Sequence, residues 1–152
     1  MNKEYFIKHE FIPILKTIDT ETKPVFGKMN LHQMIEHLSD AFKQANGTKV
    51  HPPLNNEENT QKMYQFMMSD KPFKDNTPNP YLDAEPSSIK FQNIQDSFYE
   101  LETQVTLFLD TFHAQKDLRI INPFFGNLNF DEWKHLLHKH ILHHFRQFSI
   151  QF

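Results

Sequence analysis

The chain predicts an all-α fold: an antiparallel four-helix bundle with a short accessory helix and a long Pro-rich loop. Apolar residues recur at helical spacing in five separate segments, and no stretch alternates cleanly enough to read as a strand. Only 3 Gly are present in 152 residues, so long helices meet few interruptions. The 9 Pro gather mainly at 51–53 and in "KPFKDNTPNPYLDAEP" (71–86), which marks loops between helices rather than linkers between domains. One domain over residues 1–152, with a single core, is expected at this length.

Residues 3–18 place Ile7, Phe11, Ile14 and Ile18 at helical spacing, and Pro13, which has no backbone N–H, should kink or split that helix. The turn "KPVFGKMN" then ends at Asn30, an N-cap whose reciprocal partner is Gln33. The second helix follows from Leu31 to about Ala45 with the stripe Leu31, Met34, Ile35, Leu38, Ala41, Phe42 and Ala45. It stops where Asn46 or Gly47 can turn left-handed. An accessory helix near 56–69 has Asn55 or Asn56 as cap, Glu57 and Glu58 at its positive end, and only Met63, Phe66 and Met67 to bury. After Pro86, with Ser87 or Ser88 as cap, Ile94, Phe98, Leu101, Val105, Phe108 and Phe112 step by four and three. The loop "NPFFGNLN" leads to the pair Asn129 and Glu132, a second capping signature, and a last helix to about Ile150.

Composition narrows the function. Net charge is −3, with acids and bases intermixed and no basic stripe of the kind a phosphate backbone needs, so nucleic acid is not an expected partner. No run is apolar enough for a signal peptide or a membrane span, and a cytoplasmic protein is expected. Zero Cys removes disulfides, a thiolate nucleophile and Cys-based zinc sites, leaving His, Asp and Glu for metal chemistry. With 38% apolar residues but 16 Phe, the core must rest on large aromatic rings.

Five histidines fall between His135 and His144. On a helical wheel at roughly 100° per residue with Phe130 at zero, the apolar arc runs from about 240° through zero to about 20°. His140 near 280° and His144 near 320° lie inside it, His143 at its edge near 220°, and His138 and His135, at roughly 80° and 140°, face water. Two rings four residues apart on a buried face have the spacing that grips one cation. Gln147 shares that face and could hold a ring, a bound water or a ligand. The third donor should come from a facing helix: His37 flanks the apolar arc of the second helix, small Ala41 leaves room beside it, and Gln33 and Asp40 could orient it through its other ring nitrogen. A single histidine on an apolar face is ordinarily just a packed core ring, so the three together carry the metal reading. His9, His32, His51, His113, His135 and His138 read as surface, His143 as surface or as support for a ligand, and Glu36 as a solvated carboxylate. Phe73, Tyr81 and Phe91 could wall a pocket mouth.

The order "GKMN" (27–30), "QMIEHLSDA" (33–41), "NPFFGNLNFDEW" (122–133) and "KHILHHFRQF" (139–148) resembles the DinB-like (YfiT-like) metalloenzyme superfamily, and more narrowly a subfamily of unknown function within it. The resemblance covers nearly the whole chain and is weakest in the accessory helix and the 71–86 loop. It implies a four-helix bundle in which His37, His140 and His144 bind a divalent metal, often zinc or nickel, with water completing the shell. Characterised members of that superfamily include thiol S-transferases and a thiol-dependent isomerase, which implies a low-molecular-weight thiol as cosubstrate and a small-molecule substrate. An all-nitrogen site favours zinc, nickel, iron or copper over calcium or magnesium. The expectation is a metal-dependent transferase that activates a thiol or water, with Asp40 the nominee for general base. A metal-dependent hydrolase shares the same site, and a helical bundle that binds a small ligand without turnover is the alternative from another class. A homodimer is compatible with either.

Overall fold

The computed structural model describes residues 1–75 and 86–152. Tyr81, expected near a pocket mouth, lies outside them.

Helix α1 covers residues 3–16 and opens with Asn2 Oδ1 accepting the Tyr5 N–H at 3.0 Å. It is split into a first turn Lys3–Tyr5, a π-helical stretch Phe6–Glu10 and an α-helical stretch Phe11–Lys16. The Phe11 N–H reaches back five residues to the Phe6 carbonyl, which inserts one extra residue just ahead of Pro13. Pro13 has no N–H for the carbonyl four residues back and its ring crowds that carbonyl, so a widened turn is a ready accommodation. The expected break at Pro13 is therefore a change of register, and the helix stops at Lys16.

Helix α2, Leu31–Ala45, carries the expected capping box: Asn30 Oδ1 accepts the Gln33 N–H at 2.7 Å and Gln33 Oε1 accepts the Asn30 N–H at 2.9 Å. Beyond its C-terminus Gly47, at φ +82°, turns the chain left-handed, which a residue without Cβ does at little cost. Helix α3, Glu57–Met68, is capped by Asn56 and fully buries only Met67. Helix α4, Ile94–Ala114, is capped by Asn93, whose side chain accepts the Gln95 N–H at 2.9 Å, and not by Ser87 or Ser88 as expected. The reason lies in α2: the Glu36 carboxylate accepts the N–H groups of Lys90 (2.6 Å) and Phe91 (3.0 Å), and Gln33 Nε2–H donates to the Ser87 carbonyl at 3.0 Å. Those bonds hold 87–91 outside any helix.

A two-stranded antiparallel sheet corrects the all-α expectation. Strands β1 (Ile120–Asn122) and β2 (Gly126–Leu128) pair with Ile120 opposite Leu128 and Asn122 opposite Gly126. Asn122 Oδ1 accepts the N–H groups of Phe124 (2.9 Å) and Phe125 (3.1 Å), and Gly126 at φ +98° closes the three-residue loop. Strands of three residues are too short for alternation to register in the sequence. The hairpin is locked from the next helix, where Trp133 Nε1–H donates to the Ile120 carbonyl at 3.0 Å.

Helix α5, Phe130–Gln147, repeats the capping box with Asn129 and Glu132, each bond 2.9 Å. It ends three residues before the expected Ile150. Ser149 takes φ +54°, its N–H bonds the Arg146 carbonyl (3.2 Å), and the Ile150 N–H bonds the Phe145 carbonyl (2.8 Å). This is a Schellman ending with serine where glycine is usual.

The core is aromatic, as the composition requires. Phe11 stacks on Phe42 at 5.9 Å, Phe42 meets Phe108 edge-on at 5.7 Å, and Phe112 stacks on Phe130 at 5.2 Å, linking α1, α2, α4 and α5. The most extensive helix pairing is α2 with α4, while α5 contacts α1, α2 and α3. The described residues are thus mostly helical, five helices with one hairpin. Among them no helix is long and apolar enough to cross a membrane.

Candidate metal centre

His37 from α2 and His140 and His144 from α5 meet. The His37 Nε2 lies 3.0 Å from His140 Nε2, and His144 Nε2 lies 2.9 Å from the same atom. The three ligating nitrogens lie within 4.8 Å of one another. The rings stand 4.8–4.9 Å apart at their centroids, with His37 roughly perpendicular to the other two. The donor set suits a borderline metal: three imidazole nitrogens from two helices, with the His140–His144 spacing of one helical turn. Around a tetrahedral zinc, Zn–N distances of about 2.0–2.1 Å put ligand nitrogens about 3.3 Å apart, and the separations of His140 from His37 and from His144 lie within a few tenths of an ångström of that.

Burial sets the charge state. His144 is 4% exposed, whereas His37 and His140 keep an intermediate exposure. Burial pushes the His37 ring down to about 4, against a partial opposing pull from the Asp40 carboxylate. His140 and His144 are held well below the ordinary imidazole range, first by burial and then by the neighbouring rings. All three are neutral near pH 7, the form in which imidazole donates a lone pair.

Gln147, 5% exposed, holds a ring: its Oε1 is 2.7 Å from His144 Nδ1, and its Nε2–H donates to the Phe26 carbonyl at 3.2 Å. Asp40 is engaged elsewhere, accepting from Lys49 Nζ at 2.6 Å and from Gln44 Nε2 at 3.3 Å. Gln33 serves as helix cap and anchor for Ser87. The expected orientation of His37 by hydrogen bonds from these two side chains is therefore replaced by an electrostatic influence of Asp40.

Other assignments shift as well. His143 sits between the Phe26 and Phe73 rings, at 5.4 and 6.2 Å, beside His144 at 5.2 Å. His135 and His138, expected to face water, are half-buried under the N-terminal segment, against Lys3 Nζ (3.0 Å) and the Phe6 ring (5.2 Å) respectively. The wheel placed them opposite the apolar arc, but α1 packs there. Lysine occupies a core position: Lys139, 8% exposed, donates to the carbonyls of Phe66 (3.1 Å) in the last turn of α3 and of Ser69 (2.8 Å) and Lys71 (2.6 Å) just beyond it.

Glu36 is not a solvated carboxylate. Besides the two backbone bonds it accepts the Ser97 hydroxyl at 2.7 Å, and these donors outweigh the upward push of burial to hold it below the usual carboxylate range. His32 Nε2 is 2.8 Å from the same hydroxyl. Since Ser97 gives its proton to Glu36, His32 must donate to Ser97, the reverse of what activates a serine nucleophile. A polar Ser97 at a core position of the α4 seam was the available sequence clue to this node.

Phe73 packs against Phe66 and Phe125 at 5.9 and 6.2 Å, while Phe91 is half-buried beneath Lys90. A surface groove of about 310 Å³ lies between α1 and α4, lined by Lys8, Ile12, Val105 and Leu109 among others, and none of its lining residues belongs to the triad. Comparison with family models, curated proteins and solved structures gives no match.

Proposed function

We propose that the chain holds one divalent metal, zinc or nickel, on His37, His140 and His144, and works as a metal-dependent enzyme of the thiol S-transferase type. The observation that carries this reading is the convergence of three Nε2 atoms from helices distant in sequence. The reading includes membership of the DinB-like superfamily and its four-helix bundle, supported by the mostly helical architecture and by the matching positions of the three histidines. When bound, such an ion supplies Lewis acidity that lowers the pKa of a thiol or water held beside it.

The chain's own residues do the remainder. Burial keeps the imidazoles unprotonated at neutral pH, so protons do not compete for their lone pairs. Gln147 holds the His144 ring, and the intermediate exposure of His37 and His140 leaves the approach for a small molecule. Asp40, the nominee for general base, would have to give up Lys49 to take a proton. That pairing favours a second reading, a bundle that binds metal and a small ligand without turnover. A hydrolase differs only in using water as nucleophile.

Metal analysis of untagged protein, wild type against His140→Ala, tests the reading together with a screen of low-molecular-weight thiols and electrophiles on metal-loaded protein. Bound zinc or nickel in the wild type and none in the variant, with thiol consumption, is the expected result. Equal background metal in both removes it, and metal without turnover leaves the binding-only reading.

A further inference from the structure

Gln147 touches groups whose hydrogen-bonding roles are fixed. The Phe26 carbonyl can only accept, so the amide atom 3.2 Å from it is the Nε2–H donor. The other amide atom is then the carbonyl Oε1, which can only accept, and His144 Nδ1 at 2.7 Å must carry the proton. A neutral imidazole has one N–H, so His144 Nε2 is a bare lone pair, and it is this nitrogen that faces His140 Nε2 at 2.9 Å. The Phe26 carbonyl is itself held in place: the Val25 N–H donates to the Gln147 backbone carbonyl at 2.7 Å, and the Phe26 ring lies 5.4 Å from His143. Side chain and backbone of one residue thus grip the 25–26 segment together.

We infer that Gln147 is a positioning residue which, anchored on the Phe26 carbonyl, sets His144 in its Nδ1–H tautomer and so presents Nε2 as a metal donor. The functional half of this inference rests on the metal reading above; the tautomer does not. Histidine free in water favours the Nε2–H form, so the bond to Gln147 reverses the ring's own preference. Without it, the proton returns to the nitrogen that must bind metal. Partners of this kind typically change metal affinity about 10–100-fold.

The test uses long-range nitrogen–proton NMR of histidine-labelled, zinc-free full-length protein at pH 7.5, with zinc affinity measured by competition against a chromophoric chelator. Wild type and Gln147→Glu, whose carboxylate can still accept, should show His144 protonated at Nδ1. Gln147→Leu should move the proton to Nε2 and weaken zinc binding by about 10–100-fold. An Nε2–H tautomer in the wild type overturns the inference, as does a folded Gln147→Leu with unchanged tautomer and affinity. If Gln147→Leu does not fold, as judged by circular dichroism, the wild-type and Gln147→Glu spectra decide. Tautomers that respond as expected in a protein that binds no zinc support the positioning of His144 and remove the metal reading.

Discussion

Acidification of zinc-free protein should destabilise it through the buried triad. His37 has an ordinary pKa of 6.5 when unfolded and about 4 when folded. The unfolded chain therefore binds the proton first as pH falls, and stability drops between pH 6.5 and 4 rather than rising. At about 1.4 kcal/mol per pH unit of separation, His37 alone accounts for about 3 kcal/mol once the window is crossed. His140 and His144 act in the same direction, but the three contributions overlap because each protonated ring repels the next proton. His138, pushed to about 4 by burial and by Lys3, adds to the slope. The lowered carboxylates Glu4, Glu36 and Glu100 lose their stabilising effect only as pH falls from their ordinary 4.5 through their lower folded values, so the interval from 6.5 to 5 belongs to histidine. Urea denaturation followed by Trp133 fluorescence in half-unit steps from pH 7.5 to 5 measures it. The midpoint should fall steadily below pH 6.5, and less steeply in His37→Leu. A midpoint unchanged between pH 7 and 5, or equal slopes in both proteins, would refute the burial of neutral rings.

Two further expectations concern the scaffold. Lys139→Met removes three charge-assisted bonds and leaves the carbonyls of Phe66, Ser69 and Lys71 without their ammonium donor; after allowing for the desolvation that a buried ammonium already suffers, a loss of about 2–4 kcal/mol is expected in equilibrium unfolding. A loss under about 0.5 kcal/mol would mean that water replaces the lysine without penalty. Ser149→Gly relieves a left-handed serine at φ +54° and should raise stability by about 0.5–1 kcal/mol, read as a higher melting temperature. A lower melting temperature would show that the Ser149 side chain contributes more than its backbone strain.

The triad was legible because helix periodicity alone decides which side of a helix a residue faces. His140 and His144 fall inside the apolar arc of α5, and His37 on the flank of α2, with capping boxes at Asn30 and Asn129 fixing where each helix begins. The periodicity of one helix does not reveal what packs on its other sides. For that reason the wheel puts His135 and His138 in water although α1 covers them, and the pattern of α2 gives no sign that Glu36 anchors 87–91. The hairpin escaped because its strands are three residues long and its stability comes from Trp133 and the Asn122 turn rather than from alternation. Lys139 escaped because its three partners are backbone carbonyls at and just past the end of a helix far away in sequence, and carbonyls carry no sequence signature.

The most direct measurement is a calorimetric titration of zinc into metal-free protein at pH 7.5, repeated with His37→Ala, His140→Ala and His144→Ala. One ion per chain in the wild type, with binding lost or severely weakened in each of the three variants, is the expected outcome. Undetectable binding in the wild type, or undiminished affinity in any of the three variants, would contradict a metal centre built on these rings.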